Sequence, residues 1–382
     1  MWITGYVMVM STMLYKERGL KMTDYSKGIY VWGTGLNAKR LNEVYHHELT
    51  QEHLVGYIDN DSDKWGSEYY GKPVFSPDSI RELEDIAIYI SVNKSDEIIE
   101  QIRNSFSSKT IVLKKNYFQK KRLMTRYAES ENPEINEIIE YLYNHDLDVF
   151  NYSWVDDYKS FCLEFYKEDG LIYVVHKGKK LFFSKKYDTK EKVREYYISL
   201  LIEQHAKSPH LYLTSEFDVS IGDVVVDAGA AEGIFSLEVI DRAKRIYIFE
   251  PDSDWIEALK HTFADYKDKV VIIQRCVSNY KDKMTTTIDE VVTESAINFL
   301  KMDIEGEEFY ALCGAENTLK KSNNVKCVVC SYHQEFAYYA IKSKLEEYGF
   351  KTNHSDGYMW YIEHFNSMRP MTLRRGLVRA EK

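Results

Sequence analysis

The sequence lacks an excess of basic residues. Its 382 residues include 50 lysines and arginines against 60 aspartates and glutamates, a formal net charge of −10 at pH 7. Nucleic-acid-binding proteins usually carry a basic surplus that pairs with phosphates, so this charge argues against a nucleic-acid partner. The hydrophobic fraction of 44% is ample for a buried core, and the length predicts two domains with a connecting region.

Cysteine is also scarce. Among the five cysteines, Cys327 and Cys330 form a lone CxxC pair inside an apolar run. A structural zinc site of this type needs a second pair of ligands, so this pair does not predict one. We expect buried, reduced thiols, as in a cytoplasmic protein.

No apolar run is long enough for a stable membrane span. Residues 1–14 are apolar, but a helix needs about 20 such residues to cross a bilayer. A basic lead-in and a small-residue cleavage site, which mark secretion signals, are missing as well. We expect residues 1–21 to be a disordered leader, with Met22 as an alternative start and a weak membrane-surface anchor as a second alternative.

Two stretches alternate strand and helix signals, the pattern of parallel α/β sheets. They predict a Rossmann-like N-terminal domain over residues 22–115 and a second such domain over 211–364. The second has five parallel candidate strands and then two closely spaced ones, 348–353 and 358–363, that suit an antiparallel edge. Residues 116–210 are predicted as a connecting region with helices and a hairpin that caps the second domain, and residues 365–382 as a basic tail.

The turn after the apolar strand DVVV carries the strongest motif, DAGAAEG, at residues 227–233. Gly229, Ala230 and Gly233 form a strand-to-helix turn, where glycine allows close backbone approach to a ligand and the helix start offers N–H donors. An aspartate, Asp227, stands where a phosphate-binding fingerprint has its first glycine. Its carboxylate repels phosphate and suits a ligand that carries an amino group.

The next two strands end in further polar candidates. Glu250 follows a strand about twenty residues on, where an acid accepts hydrogen bonds from ribose hydroxyls, although a helix cap is the alternative. Ser278 and Asn279 end the third strand. They are candidates for contact with an adenine ring, and they are also common turn formers.

The fourth and fifth strands bring three more side chains to the carboxyl edge of the sheet, where open α/β folds bind ligands. Asp303 is suited to orienting an acceptor hydroxyl, holding a divalent metal or stabilising a positive charge. Glu305 is a second acid there, or a first-turn acid favoured by the helix dipole. His333 is a candidate general base, with a structural histidine as the alternative.

Residues from about 221 to 362 resemble the FkbM-type methyltransferases, which depend on S-adenosylmethionine and mostly methylate oxygen. The matching segments are VVVDAGAAEGIFSL, YIFEPDSDWIEAL, TTTIDEVV and FLKMDIEGEEFYALCGAENTL. The KMDIEG segment followed by a helix with ALxGA is the most specific of them. The hairpin GLIYVVHKGKKLFF, the segment EQHAKSPHLYLTSEF and the terminal RRGLVRAEK extend the resemblance over residues 165–382.

This resemblance implies a seven-stranded class I methyltransferase fold and an S-adenosylmethionine cofactor. It makes Asp227, Gly229 and Gly233 the cofactor loop and Glu250 the ribose acid. It also makes Asp303 and Glu305 the acids of the acceptor side.

The resemblance also implies a small-molecule or glycan acceptor, because family members act on sugars in antibiotics, glycolipids and surface polysaccharides and on other hydroxylated natural products. Two alternatives stand beside an O-methyltransferase of polysaccharide biosynthesis. One is a methyltransferase acting on protein or nucleic acid, for which no NPPY-like motif follows the fourth strand. The other is a non-catalytic nucleotide-sugar-binding protein with a methyltransferase-like shell.

The N-terminal segments VWGTGLNAKRL, YIDNDSDKWG and GKPVFSP are similar to Rossmann-like domains found beside sugar-modifying enzymes. Gly33 and Gly35 form a GxGxxA turn, and Asp59 ends the next strand. Such a lone pattern is weak evidence for a dinucleotide. A scaffold for substrate or subunit contacts, including a homo-oligomer, is favoured over a nucleotide or nucleotide-sugar site.

Overall fold

The structure is a computed structural model that describes residues 27–93, 95–361 and 372–382. The chain forms two units, of which the first contains the described residues up to Asn151 and the second contains Tyr152–Tyr361 and Thr372–Lys382. The predicted leader and the alternative start at Met22 lie outside the described residues. The predicted connecting region is divided, since its first helices belong to the first unit and its hairpin to the second.

The first unit is a six-stranded sheet with helices. Its strands in chain order are β1 Ile29–Trp32, β2 Leu54–Ile58, β3 Glu68–Tyr69, β4 Lys72–Phe75, β5 Ala87–Ile90 and β6 Ile111–Leu113. Its helices are α1 Leu36–Gln51, α2 Pro77–Ile80, α3 Ser95–Ser105, α4 Tyr117–Arg126 and α5 Pro133–Asn144, with a 3₁₀ turn at Ser62–Lys64. The strand order is β3-β4-β2-β1-β5-β6, in which β3 is antiparallel to β4 and the other pairs are parallel.

Strand β1 shows why this sheet is covered on both faces. Its four residues are all buried, and alternate side chains enter two different cores. Val31 packs in a core with Leu41 of α1, whereas Trp32 packs in a core with Ile102 of α3. A continuous apolar strand with helices on either side is typical of a doubly wound sheet, and the predicted Rossmann-like domain is confirmed.

The second unit contains the remaining elements. Its strands are β7 Tyr166–Glu168, β8 Leu171–His176, β9 Lys179–Phe182, β10 Val224–Ala228, β11 Arg245–Phe249, β12 Val270–Ile273, β13 Cys276–Val277, β14 Thr285–Thr286, β15 Phe299–Met302, β16 Lys326–Cys330, β17 Lys351–His354, β18 Met359–Trp360, β19 Leu373–Arg374 and β20 Leu377–Glu381. Its helices are α6 Lys190–Glu203, α7 Ile234–Val239, α8 Ser253–Thr262, α9 Ile288–Val291, α10 Glu308–Cys313, α11 Glu316–Lys321 and α12 Ala337–Glu347, with 3₁₀ turns at Ser153–Tyr158 and Ala264–Tyr266.

The main sheet of this unit has seven strands in the order β12-β11-β10-β15-β16-β20-β17. Strand β20 runs antiparallel between β16 and β17, and the pairs from β12 to β16 are parallel. This is the strand arrangement of the class I methyltransferase fold, so the predicted fold class is confirmed.

The predicted edge of this sheet was wrong in one respect. Residues 348–353 and 358–363 were expected to suit an antiparallel edge, but β17 pairs with β20, and β18 pairs with β19 in a separate two-stranded sheet, with 362 and 363 outside the described residues. The sixth strand of the sheet therefore comes from the segment that the sequence marked as a basic tail. Leu377, Val378 and Ala380 are buried there, which suits a strand with a neighbour on each side.

The predicted hairpin is confirmed, and β7 adds a third strand to it. Lys177 and Gly178 link β8 to β9 with φ values of 46° and 83°, as a tight turn with two left-handed residues requires. The backbone N–H of Phe182 in β9 donates to the Thr262 hydroxyl at 3.0 Å. This contact joins the hairpin to α8 and places the following helix, α6, which begins at the capping residue Thr189.

Within the described ranges, no helix combines the length and apolar character required to cross a bilayer.

Replacing Val378 by alanine tests the place of β20 in the sheet. The side chain is fully buried in the main core of the second unit, so we expect the free energy of unfolding to fall by about 1–3 kcal/mol. Urea denaturation measures the loss, and Glu381→Ala, an exposed position of the same strand, is the matched control. Equal stability of the two variants would contradict a central position for β20.

Candidate active site

A cavity of about 640 Å³ lies in the second unit, at the carboxyl ends of β10, β11 and β15. Its size is within the range of about 300–1,000 Å³ usual for small-molecule sites. Its walls are formed by α6, the glycine turn after β10, the turn after β11, residues 275–277 and the segment after β15. Helix α6 lies in the predicted connecting region, so this region supplies a wall of the site as well as a cap.

The glycine turn packs directly on the end of β15. Gly229 has a φ of 77°, and a Cβ at this position would lie 1.8 Å from the carbonyl oxygen of Asp303. Gly233 has a φ of 86°, and a Cβ there would lie 2.8 Å from the Leu259 side chain. Both positions therefore require glycine for close packing. Ala230, between them, lines the cavity.

Asp227 forms a buried ion pair beneath this turn. Its Oδ1 lies 3.1 Å from Nζ of Lys301, and its Oδ2 accepts a hydrogen bond from the Ser236 hydroxyl at 2.7 Å. The Lys301 ammonium also donates to the Gly229 carbonyl at 2.5 Å. Asp227 was expected to face the ligand, but the structure places its carboxylate against these partners and outside the cavity wall.

Sequence reasoning missed the role of Lys301. Burial would lower the pKa of this lysine, but the carboxylates of Asp227 and Asp303 outweigh burial and raise the pKa. The ammonium therefore stays charged although its side chain is only 4% exposed. The available signal was a lysine inside an otherwise apolar strand, because buried lysines are rare unless they are paired.

Glu250 lies in the cavity wall next to the glycine turn. Its Oε2 accepts a hydrogen bond from the backbone N–H of Ala231 and its Oε1 accepts one from that of Asp252, both at 2.8 Å. Burial raises the pKa of Glu250, against the lowering effect of these two donors. Each oxygen keeps a further lone pair for a ligand hydroxyl.

The end of the third strand differs from the expectation in detail. The cavity is lined by Arg275, Cys276 and Val277, and it does not reach Ser278 or Asn279. The Ser278 backbone N–H donates to the carbonyl of Thr286 at 3.0 Å. An adenine contact by Ser278 or Asn279 thus remains a prediction, and the three residues before Ser278 have the better placement.

Asp303 lies in the cavity wall at the end of β15, surrounded by donors. The Tyr212 hydroxyl donates to Oδ2 at 2.7 Å, and the Tyr332 hydroxyl donates to Oδ1 at 3.2 Å. Nε2 of His210 and of His333 each lie 3.5 Å from the carboxylate. Burial would raise the pKa of Asp303, but the histidines and the charge of Lys301 outweigh it and hold that pKa well below its usual range.

His333 is buried behind Asp303, outside the lining of the cavity. Its Nδ1 lies 2.8 Å from Oε1 of Glu308, and its Nε2 lies 3.6 Å from Oε2 of Glu305. Burial would lower the pKa of His333, but the neighbouring carboxylates, Glu308 first, raise it. Glu305 lines the cavity with an exposed side chain, and the Tyr361 hydroxyl donates to it at 3.3 Å.

Two groups of side chains around Asp303 have their ligand atoms within 4.8 Å of one another, as a metal site requires. They are His210, Asp303 and Cys330, and Asp303, Glu308 and His333. Burial raises the pKa of the Cys330 thiol, and the neighbouring carboxylates raise the pKa of His333, so a cation would compete with protons for these two ligands. Both sets consist of residue types that bind divalent metals, but the Asp303 carboxylate common to them already accepts hydrogen bonds from Tyr212 and Tyr332.

In the first unit, the residues of the glycine turn at Gly33 and Gly35 bond to Asp59. Oδ2 of Asp59 accepts hydrogen bonds from the backbone N–H of Thr34 at 3.1 Å and from its hydroxyl at 2.5 Å, and Lys64 donates to the same oxygen at 3.1 Å. These donors occupy Oδ2, and Oδ1 accepts from the backbone N–H of Asp61 at 3.0 Å. The turn at Gly33 and Gly35 is thus closed onto Asp59, which favours the scaffold over a nucleotide site.

Two family models match the chain. Residues 274–352 match the methyltransferase FkbM domain, and residues 25–112 match the model described as C2185-like, N-terminal. The first match includes the KMDIEG segment at the end of β15, so the predicted resemblance to FkbM-type methyltransferases is confirmed over this stretch. No curated protein matches the chain.

Solved structures of methyltransferases are similar to part of the chain. Precorrin-6y C5,15-methyltransferase from Geobacter metallireducens has 12% identity, a TM-score of 0.32, and coverage of 44% of this chain and 85% of that one. TYW2 from M. jannaschii, in complex with AdoMet, has 13% identity, a TM-score of 0.31, and coverage of 56% and 87%. An rRNA methylase from Streptococcus thermophilus has 18% identity, a TM-score of 0.28, and coverage of 43% and 89%. Because these scores are low, the fold assignment rests on the strand order.

Replacing Lys301 by methionine tests the buried ion pair. Removal of one partner leaves the Asp227 carboxylate buried without a counter-charge, so we expect the free energy of unfolding to fall by about 3–5 kcal/mol. The double variant Asp227→Asn with Lys301→Met should recover part of this loss, because no charge is left behind. Urea denaturation measures both. Lys326→Met, at the start of the neighbouring strand, is the control, and an equal loss in that variant would contradict a special role for Lys301.

Proposed function

We propose that this chain is an S-adenosylmethionine-dependent methyltransferase that methylates a hydroxyl group of a sugar, glycan or glycolipid precursor. The observation that carries the proposal is the joining of three features in one cavity: the glycine turn at Gly229, the carboxylate of Glu250 and the hydrogen-bonded carboxylate of Asp303. The match to the FkbM domain and the strand order of the second unit support the same class.

The residues present fit the cofactor. Glycine at 229 and 233 lets the turn pack closely on Asp303 and Leu259, and the backbone at Gly229 borders the cavity, where a ligand can contact it. Glu250 has lone pairs for two ribose hydroxyls, and its oxygens are fixed by two backbone donors. Asp227 and Lys301 fix the turn from the side away from the cavity, through the Gly229 carbonyl. This positioning role replaces the direct contact of Asp227 with the ligand that the sequence predicted.

When bound, S-adenosylmethionine supplies an electrophilic methyl group on a positively charged sulfur. The chain contributes alignment of the two reactants, which accounts for much of the rate in such displacements. Asp303 contributes a fixed negative charge, because Tyr212 and Tyr332 hold its carboxylate in one orientation. Preorganised charge of this kind stabilises a cationic centre without reorganisation during the reaction.

The acceptor hydroxyl must lose its proton during attack. The lowered pKa of Asp303 makes it a poor proton acceptor. His333 lies outside the cavity lining, 3.6 Å from Oε2 of Glu305, so we assign it as the base that receives the proton of the hydroxyl through the exposed Glu305 carboxylate. His333 accepts a proton only when it is neutral, and its pKa is raised. Methyl transfer should therefore increase as the pH rises through that pKa.

A test with the cofactor alone separates this proposal from the non-catalytic alternative. Titration calorimetry of the full chain with S-adenosylmethionine should show binding, and Glu250→Gln should weaken it about tenfold or more, since a charged hydrogen-bond acceptor for the ribose is lost. Glu257→Gln on the surface of α8 is the matched control. Absence of binding to the unaltered chain would leave only a methyltransferase-like shell.

A second test addresses the reaction. Asp303→Asn should reduce transfer of labelled methyl from S-adenosylmethionine to a panel of neutral mono- and oligosaccharides by about 100-fold or more, as for other electrostatic groups in active sites, while cofactor binding stays measurable. Loss of this anion also removes a charge that raises the pKa of His333, so the remaining activity should reach its alkaline plateau at a lower pH. Unchanged turnover would remove Asp303 from the mechanism.

A further inference from the structure

Glu232, a buried acid of the cavity, has no role in the methyl transfer proposed above. Glu232 belongs to the glycine turn, lines the cavity and is only 3% exposed. Its Oε2 accepts a hydrogen bond from the Tyr196 hydroxyl at 2.8 Å, and its Oε1 accepts a weaker one from the backbone N–H of Ile234 at 3.3 Å. An acid is costly to bury, so its position inside a ligand cavity indicates a use.

Three other acids, Asp227, Glu250 and Asp303, already have partners among the described residues. Asp227 faces Lys301 and Ser236 outside the cavity, and Glu250 holds two backbone donors beside the proposed ribose position. Asp303 accepts from two tyrosine hydroxyls. A carboxylate offers about four lone-pair sites, of which Glu232 uses two, so it retains capacity for a ligand donor.

The tyrosine that donates to this acid belongs to a cluster of three aromatic rings. The ring of Tyr196 lies 4.6 Å from that of Tyr187 and 5.5 Å from that of Trp255, and Tyr187 and Trp255 are 5.4 Å apart. Aromatic faces attract cations, and this cluster already holds one, because Nζ of Lys186 lies 4.8 Å from the Trp255 ring centre. An acid beside an aromatic cluster is the chemistry that recognises an ammonium group.

We propose that Glu232, oriented by the Tyr196 hydroxyl, binds the α-ammonium group in the amino-acid part of the cofactor. The inference rests on the proposed function, since it names a contact of the same cofactor. It replaces Asp227 as the ammonium partner and makes α6, through Tyr196, a part of the cofactor site.

The same contact makes cofactor binding depend on pH. Burial raises the pKa of Glu232 to about 7, against the lowering effects of the Tyr196 hydrogen bond and the local backbone donors. Other groups that face it are Glu203, whose charge raises this pKa further, and the hydroxyl of Tyr187. An ammonium group binds the ionised form, so affinity should rise between about pH 6 and 7.5, below the usual pKa of an α-amino group.

Three ligands distinguish the ammonium contact from contacts to the nucleoside. S-adenosylmethionine and S-adenosylhomocysteine carry the amino-acid part, whereas 5′-methylthioadenosine lacks it. In titration calorimetry, Glu232→Gln should weaken the first two by about 10- to 100-fold and leave the third unchanged. Glu250→Gln is the matched control, and it should weaken all three because they share the ribose.

The pH profile supplies a second readout. At about pH 6 the unaltered chain should release a proton on binding S-adenosylmethionine, detected as a dependence of the binding heat on the buffer, and Glu232→Gln should not. Tyr196→Phe removes a donor that lowers the Glu232 pKa, so it should move the rise in affinity to higher pH.

Two results would overturn the inference. If S-adenosylmethionine binds the unaltered chain but Glu232→Gln affects all three ligands equally, or none, the ammonium contact is wrong while the proposed function stands. If no ligand binds the unaltered chain, the proposed function fails and the inference fails with it. Retained binding of 5′-methylthioadenosine by Glu232→Gln also shows that this variant is folded.

Discussion

The buried ion pair between Asp227 and Lys301 is the contact on which the site depends. It joins β15, the central strand of the seven-stranded sheet, to its neighbour β10, and its ammonium also donates to the carbonyl of Gly229. The glycine turn is thereby fixed against the backbone of Asp303. Since a buried charge is stable only with its partner, the pair couples the geometry of the glycine turn to that of the Asp303 segment after β15.

Above this pair, the cavity is strongly acidic, and its acids are kept in different states. The neighbouring histidines and Lys301 hold the pKa of Asp303 low, whereas burial raises the pKa values of Glu232 and Glu250. Carboxylates in one cavity can therefore serve different purposes, because their local donors differ. A cationic cofactor suits such a cavity, and the low pKa of Asp303 agrees with its proposed role as a stabilising charge.

Much of the fold could be predicted from local patterns. The apolar strands, the hairpin at Gly178 and the glycine turn at 227–233 depend on neighbouring residues in the sequence, so their signals are local. Strand β20 was missed because its side chains are buried only when β16 and β17 pair with it on either side, which no local pattern reveals. The role of α6 was missed for a related reason, since a helix in a connecting region does not reveal which cavity it faces.

The sequence by itself determined the α/β class, the position of the cofactor turn and the set of acids at the carboxyl ends of the strands. Strand ends meet at one edge of a parallel sheet, so residue order alone brings Gly229, Glu250 and Asp303 together. Only the tertiary structure decided which acid faces the cavity and which is paired beneath it. Asp227 and Glu232 lie five positions apart in one turn, yet burial against Lys301 and contact with Tyr196 give them different roles.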